Sequence, residues 1–151
     1  DSRLTAAHGI TIVKEDKNEY LWLADCGRNR LKEIGYEYPE SEQVTGQIIK
    51  TTLTGEVVLT LDTPNIPIYH PGDYMPTSVA INEERHGGNG DIWVADGYGQ
   101  NYVHRYDKTG RYLNSINGKE GDAGLFNCPH GIWIDRRKND GLGRYALKAW
   151  R

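Results

Sequence analysis

Ala7-His8-Gly9-Ile10-Thr11-Ile12-Val13 opens a pattern that returns at Pro76-Thr77-Ser78-Val79-Ala80-Ile81 and again at Pro129-His130-Gly131-Ile132-Trp133-Ile134-Asp135. In the first two repeats a turn leads into a second matched stretch, Leu21-Trp22-Leu23-Ala24-Asp25 and Ile92-Trp93-Val94-Ala95-Asp96. Each stretch is a short run of β-branched, aliphatic and aromatic residues bounded by turn formers, which reads as a strand. A fixed order of short strands returning every 50 to 70 residues or so marks propeller blades and not one compact sandwich. The chain therefore reads as all-β, made of β-propeller blades of four antiparallel strands in an incomplete ring.

Working outward, the first blade spans about residues 7–62, with strands expected over 9–13, 20–24, 47–53 and 56–61, the last two joined by Thr54-Gly55. The second spans about 76–117, with strands over 78–82, 91–95, 102–106 and 112–116 and Lys108-Thr109-Gly110 as the matching turn. Residues 128–135 open a third blade, so the propeller segment runs over 1–135 and holds about two and a half blades of the four-stranded kind. Two long connections interrupt the pattern. One is an insertion over 31–46 carrying Tyr36, Tyr38 and Pro39; the other, over 63–75, carries Pro64, Pro67, His70 and Pro71. After Asp135 the repeat calls for another apolar stretch ending in Ala-Asp, yet Gly141-Leu142-Gly143-Arg144-Tyr145 follows, so 136–151 reads as an atypical tail.

Composition narrows the function classes. With 18 basic against 21 acidic side chains the chain lacks the basic surplus that neutralising phosphates requires, so nucleic acid is not an expected partner. The basic runs at 28–32 and 136–138 sit among Gly, Asn and Asp and read as solvated turns. No window approaches the roughly 20 apolar residues that span a bilayer, and the first residues do not form a basic head with an apolar core. A soluble protein with no membrane partner is expected, exported if a signal segment has been trimmed from it. Two cysteines, Cys26 and Cys128, are too few for a disulfide-stapled scaffold, and each reads as a small buried apolar residue. His70, His86 and His104 have no motif around them and read as structural.

The run from Asp91 to Leu113, with Asp91-Ile92-Trp93-Val94-Ala95-Asp96-Gly97-Tyr98 followed by Val103-His104-Arg105-Tyr106-Asp107-Lys108-Thr109-Gly110-Arg111-Tyr112-Leu113, resembles an NHL repeat, the blade of many six-bladed propellers. The order His8-Gly9-Ile10, Pro76-Thr77-Ser78-Val79, Asp96-Gly97-Tyr98, Pro129-His130-Gly131-Ile132 resembles the peptidyl-alpha-hydroxyglycine alpha-amidating lyase family. That resemblance implies zinc held at the mouth of the channel by the blade-opening histidines, His8 and His130, with Tyr98 as the general base. The reaction it implies cleaves a peptidyl α-hydroxyglycine to a peptide amide and glyoxylate. Inner strands converge on the propeller axis, so ligands on one ion can lie far apart in sequence. Neutral imidazoles suit zinc, and a phenol, with an ordinary pKa near 10, serves as base only with a cation beside it.

The chain also departs from that family. A third zinc histidine and an arginine belong to blades not present here, and Met75 and Gly99 stand where the family pairs two cysteines. Two histidines leave a catalytic zinc short of its usual three protein ligands. The chain is thus expected to be lyase-like within a completed propeller and inactive by itself, with self-association completing or capping the ring. The alternative is a non-catalytic NHL module that binds a peptide or protein through Tyr36, Tyr38, Tyr69, Tyr74 and Tyr98. Calcium ranks behind zinc, because the channel positions hold His and Thr and not the Glu, Asn and Asp of calcium-binding propellers.

Overall fold

A computed structural model of the chain describes residues 4–27, 43–70, 73–122, 124–135 and 146–150. Within them β1 (Ala7–Glu15), β2 (Asn18–Asp25), β3 (Gln47–Thr52) and β4 (Val57–Leu61) form one antiparallel sheet in chain order. β5 (Ser78–Ile81), β6 (Ile92–Asp96), β7 (Tyr102–Tyr106) and β8 (Tyr112–Ile116) form a second of the same order. β9 (Gly131–Asp135) begins a third and pairs with β10 (Ala146–Trp150). The fold is all-β, two four-stranded blade-like sheets and a two-stranded one, with single 3-10 turns at Pro67–Tyr69 and Glu84–His86 among the described residues. Among the described residues no helix is long and apolar enough to cross a membrane.

Strand bounds differ from the sequence reading by one or two residues at most ends. β1 is the longest because Asp16 adopts φ 54°, closing a two-residue hairpin that carries the pairing on to Glu15 opposite Asn18. The outer turns of the two sheets are the same device. Gly55 (φ 88°) and Gly110 (φ 87°) supply the left-handed corner, and the residue three before each, Thr52 or Asp107, accepts its backbone N–H. The side chains of Thr52 and Asp107 then bind the amides of Glu56 and Arg111. Part of the stretch read as an atypical tail is strand, since β10 lies beside β9 as β2 lies beside β1, in register from Ala146 opposite Asp135 to Trp150 opposite Gly131. Residues 28–42, with Tyr36 and Tyr38, and 136–145 lie outside the described residues.

The core consists of the junctions between sheets. Val13, Trp22, Ala24, Ile48 and Leu61 of the first sheet meet Val79, Ile81, Ile92, Val94 and Tyr106 of the second, with Tyr74 between them. The opposite face of the second sheet, Ala80, Ala95 and Val103, meets Ile132 and Ile134 of β9. The second sheet thus has one face toward the first sheet and one toward β9. Period-two alternation along every strand separates the two sets of side chains.

At the end of the second strand of both four-stranded sheets stands a fully buried aspartate. Asp25 accepts the amides of Thr5, Ala6 and Gly27 and the Thr5 hydroxyl; Asp96 accepts the amides of Met75 and Gln100 and the Tyr69 hydroxyl. Both therefore fasten the segment that enters an inner strand, Thr5-Ala6 ahead of β1 and Met75 ahead of β5. Burial works to raise the pKa of Asp25, but four hydrogen bonds outweigh it and hold the carboxyl below its ordinary value. Deeper burial wins at Asp96, whose pKa is raised despite its donors.

His104, fully buried on β7, continues the Asp96 network. The single proton of Tyr69 goes to Asp96 at 2.6 Å, so His104 Nε2–H donates to the Tyr69 oxygen. His104 Nδ1 then accepts from Ser115, and Tyr112 donates to Ser115 in turn. Burial holds the imidazole neutral, with its pKa lowered to about 3. These contacts correct the expectation that Tyr69 and Tyr74 form a contact surface: Tyr69 is committed to Asp96 and His104, and Tyr74 is 1% exposed in the core. Cys26 is buried as expected. Cys128 is only half-buried, at φ 53°, because its amide binds Asn101 Oδ1 in a turn that precedes the strand.

Candidate functional site

His8, Tyr98 and His130, singled out from the repeats, are brought together at one end of the inner strands. His8 Nε2 lies 3.2 Å from the Tyr98 hydroxyl, and His130 Nε2 lies 2.8 Å from the same oxygen. The two imidazole rings stand 4.5 Å apart between centroids at 75°, and each meets the Tyr98 ring edge to face. Tyr98 is half-buried and both histidines are exposed, so the cluster opens to solvent.

Local structure explains each placement. Ala7 pairs with Asp25 and Gly9 with Ala24, which leaves His8 as the extra residue of a β-bulge. A bulge re-aims a side chain that regular alternation would send along the sheet. His130 occupies the same repeat position one residue before β9, and Tyr98 lies in the turn just after β6. Gly97 lets that turn pass closely, since a Cβ there would fall on the Pro129 carbonyl and the Thr77 hydroxyl.

Thr77, which holds the middle repeat's version of the histidine position, was not singled out from the sequence and is the hinge of the site. Its hydroxyl reaches Pro129 O at 2.9 Å and Ala95 O at 3.2 Å, tying the residue before His130 to the second sheet. Its carbonyl accepts from His8 Nδ1 at 2.9 Å. A carbonyl can only accept, so His8 carries its proton on Nδ1 and offers the Nε2 lone pair toward Tyr98. A signal existed in the sequence: threonine replaces histidine at an otherwise matched position.

Two imidazole nitrogens therefore face one phenol oxygen. With the other ring nitrogen bound to a carbonyl, His8 has the outer-shell contact typical of metal-ligating histidines. Among the described residues no group of three His, Cys, Asp or Glu side chains is placed to hold a metal. Cys128 does not extend the set by strand alternation, because β9 starts at Gly131 and Cys128 lies before it in a turn.

No protein-family model matches the chain. Over 128 residues it is 27% identical to a Caenorhabditis elegans protein named probable peptidyl-alpha-hydroxyglycine alpha-amidating lyase pgal-1, a similarity covering 83% of this chain and 30% of that protein. The chain is a distant, partial relative of that lyase and spans about a third or less of its length.

Proposed function

We propose that the chain is a segment of an NHL-type β-propeller related to the amidating lyases, in which His8 and His130 bind zinc beside Tyr98. The observation that carries this is the convergence of both Nε2 atoms on the Tyr98 hydroxyl, at 3.2 and 2.8 Å, from residues 90 and 32 positions away in the chain. The donor set suits zinc in kind, with two imidazoles and a phenol oxygen, and leaves the remaining positions to water or to ligands from further blades. Calcium, which takes six to eight oxygen ligands, fits this nitrogen-rich cluster poorly.

In the lyase reaction Tyr98, as general base, takes the proton of the substrate's α-hydroxyl. The carbon–nitrogen bond then breaks, its electron pair leaves with the nitrogen, and that nitrogen gains a proton to become the peptide amide. The carbinol carbon becomes the aldehyde of glyoxylate. Zinc, when bound, supplies the positive charge that lowers the pKa of a neighbouring hydroxyl and polarises a substrate oxygen. Thr77 keeps His8 in the tautomer that presents Nε2, and Gly97 lets Tyr98 approach His130. The non-catalytic alternative loses support from the burial of Tyr74 and the engagement of Tyr69.

Elemental mass spectrometry of the purified chain, beside a variant carrying His8→Ala and His130→Ala, tests the reading. Near-stoichiometric zinc that disappears in the variant is expected. Absence of metal in both, after incubation with zinc and desalting, overturns it.

A further inference from the structure

Tyr98 hangs on a turn wound around the Asp96 carboxylate. One carboxylate oxygen, Oδ1, accepts the Met75 amide at 2.7 Å, and the other, Oδ2, accepts the Gln100 amide at 2.6 Å. The Asp96 carbonyl closes the turn by accepting the Asn101 amide at 3.0 Å, while the Tyr98 amide donates to Met75 O at 3.3 Å. The backbone of Tyr98 is therefore held through two residues, Met75 and Gln100, whose amides share one carboxylate. Gly99 lets the turn pass, since a Cβ there would collide with both Asp96 carboxylate oxygens and with Asp73 O. Where that carboxylate sits decides where Tyr98 sits.

Tyr69, carried by the long connection into β5, fixes the carboxylate. Its hydroxyl donates to Asp96 Oδ2 at 2.6 Å beside the Gln100 amide, and it is oriented by buried His104, which Ser115 and Tyr112 hold in turn. The first sheet shows that a blade of this kind forms without such a chain of side chains. Asp25 holds the same repeat position and takes the amides of Thr5, Ala6 and Gly27 and the Thr5 hydroxyl. His104 stands opposite Val94 as Ile49 stands opposite Leu23, so an aliphatic side chain, 2% exposed, fills the matching place in the first sheet. An imidazole in so buried a position costs desolvation unless its nitrogens are bonded, and a satisfied buried network rigidifies the groups that it joins. The sheet that carries the network is the one whose turn carries Tyr98.

We propose that Tyr69 is a positioning residue for Tyr98: through its hydrogen bond to Asp96 it fixes the turn that sets the Tyr98 hydroxyl against His8 Nε2 and His130 Nε2. The side-chain network ends at Asp96, so Tyr69 acts on the geometry of the turn and not on the reacting groups. Such geometry matters because a misplacement of about 1 Å at a reacting group can cost about a hundredfold in rate. The catalytic weight of the placement rests on the reading of Tyr98 as general base; the geometric claim stands apart from it.

Tyr69→Phe removes the hydroxyl but strands the His104 N–H. Combined with His104→Ile, which installs the residue type of the first sheet, it leaves no buried donor without a partner, and such paired apolar replacement is close to neutral for stability. Nuclear Overhauser spectra of the full chain read the site, with the Tyr98 signals assigned through Tyr98→Leu. The parent is expected to show cross-peaks from the Tyr98 ring to the His8 and His130 rings, which it meets at centroid distances of 5.0 and 5.3 Å. The double variant is expected to keep the parent's urea midpoint and to lose these cross-peaks. Ile48→Val, which loosens the inter-sheet core without touching the network, is expected to keep them. Cross-peaks of parental intensity in the double variant overturn the proposal, as does their absence from the parent. Equal loss in Ile48→Val overturns it too, because any loosening of the core then moves Tyr98. If the double variant does not fold, Tyr69→Phe alone is read in the same way. Zinc measured on the same samples separates the two readings: a parent with the cross-peaks but without zinc overturns the metal reading, and the cross-peaks of the variants still decide the role of Tyr69.

Discussion

His8 Nδ1 donates to the Thr77 carbonyl across 2.9 Å, joining the first inner strand to the second over 69 residues of sequence. This bond decides the tautomer of His8, and hence that its Nε2 is a bare lone pair facing Tyr98. Backbone, and not a side chain, supplies the lock, so its strength depends on the sheets keeping their spacing.

That spacing is set in part by Gly97. Gly97→Ala pushes a methyl group onto the Pro129 carbonyl and the Thr77 hydroxyl, both in buried positions with no room to yield. Overpacking of this kind costs about 1 to 3 kcal/mol. A lowered urea midpoint is expected, together with a reduced affinity for the zinc proposed above. Unchanged values for both would show that the turn is not a constraint on the site.

The two buried aspartates respond to pH in opposite directions. The native pKa of Asp25 is depressed, so its stabilisation is present above the ordinary aspartate value near 3.9 and is lost as pH falls through the native value. The native pKa of Asp96 is raised, so its contribution is fullest below about 3.9 and diminishes as pH rises through the native value. Both Asn variants are destabilised, because each loses an acceptor for several donors. The deficit of Asp25→Asn is expected to widen between pH 3 and 6 or thereabouts, and that of Asp96→Asn to narrow. Urea titrations across that range compare the trends; parallel curves contradict the assignment.

His104 adds a pH dependence closer to neutrality. Its native pKa of about 3 lies below the ordinary histidine value, so the unfolded chain binds its proton first as pH drops. Stability conferred by the neutral buried imidazole is complete above about pH 6.5 and declines below it by up to about 1.4 kcal/mol per pH unit. The parent is expected to lose stability more steeply than His104→Gln between those values. Equal slopes in urea melts would mean that His104 is protonated in the folded state.

Trp22 anchors the junction between the first two sheets at 2% exposure, and its indole N–H has no hydrogen-bond partner among the described residues. Trp22→Phe therefore breaks no hydrogen bond and leaves only a small void. Trp22→Ala, by contrast, costs about 3 to 5 kcal/mol. Phe is expected to recover more than half of the loss seen with Ala in chemical denaturation; a Phe variant as unstable as Ala would indicate that the N–H is engaged.

The sequence by itself determined the eight strands of the two four-stranded sheets, their order and the residues His8, Tyr98 and His130. It could do so because alternation, turn chemistry and internal repetition are local properties, and because a repeat places equivalent residues at equivalent points. His8 and His130 were legible as one position written twice, and Tyr98 followed from the resemblance of Asp96-Gly97-Tyr98. Tertiary structure alone decided the rest. The bulge at His8, the lock on Thr77 and the distances to Tyr98 arise between segments 32 to 90 residues apart. Tyr69 and Tyr74 read as surface aromatics until burial and the Asp96–His104 network claimed them, and β10 carries no repeat signature because its pairing partner, not its composition, makes it a strand. Exposure likewise belongs to the assembled sheets: Ile12 and Ile81 are the same residue in the same repeat position, and only the presence of a preceding sheet separates 63% exposure from 7%.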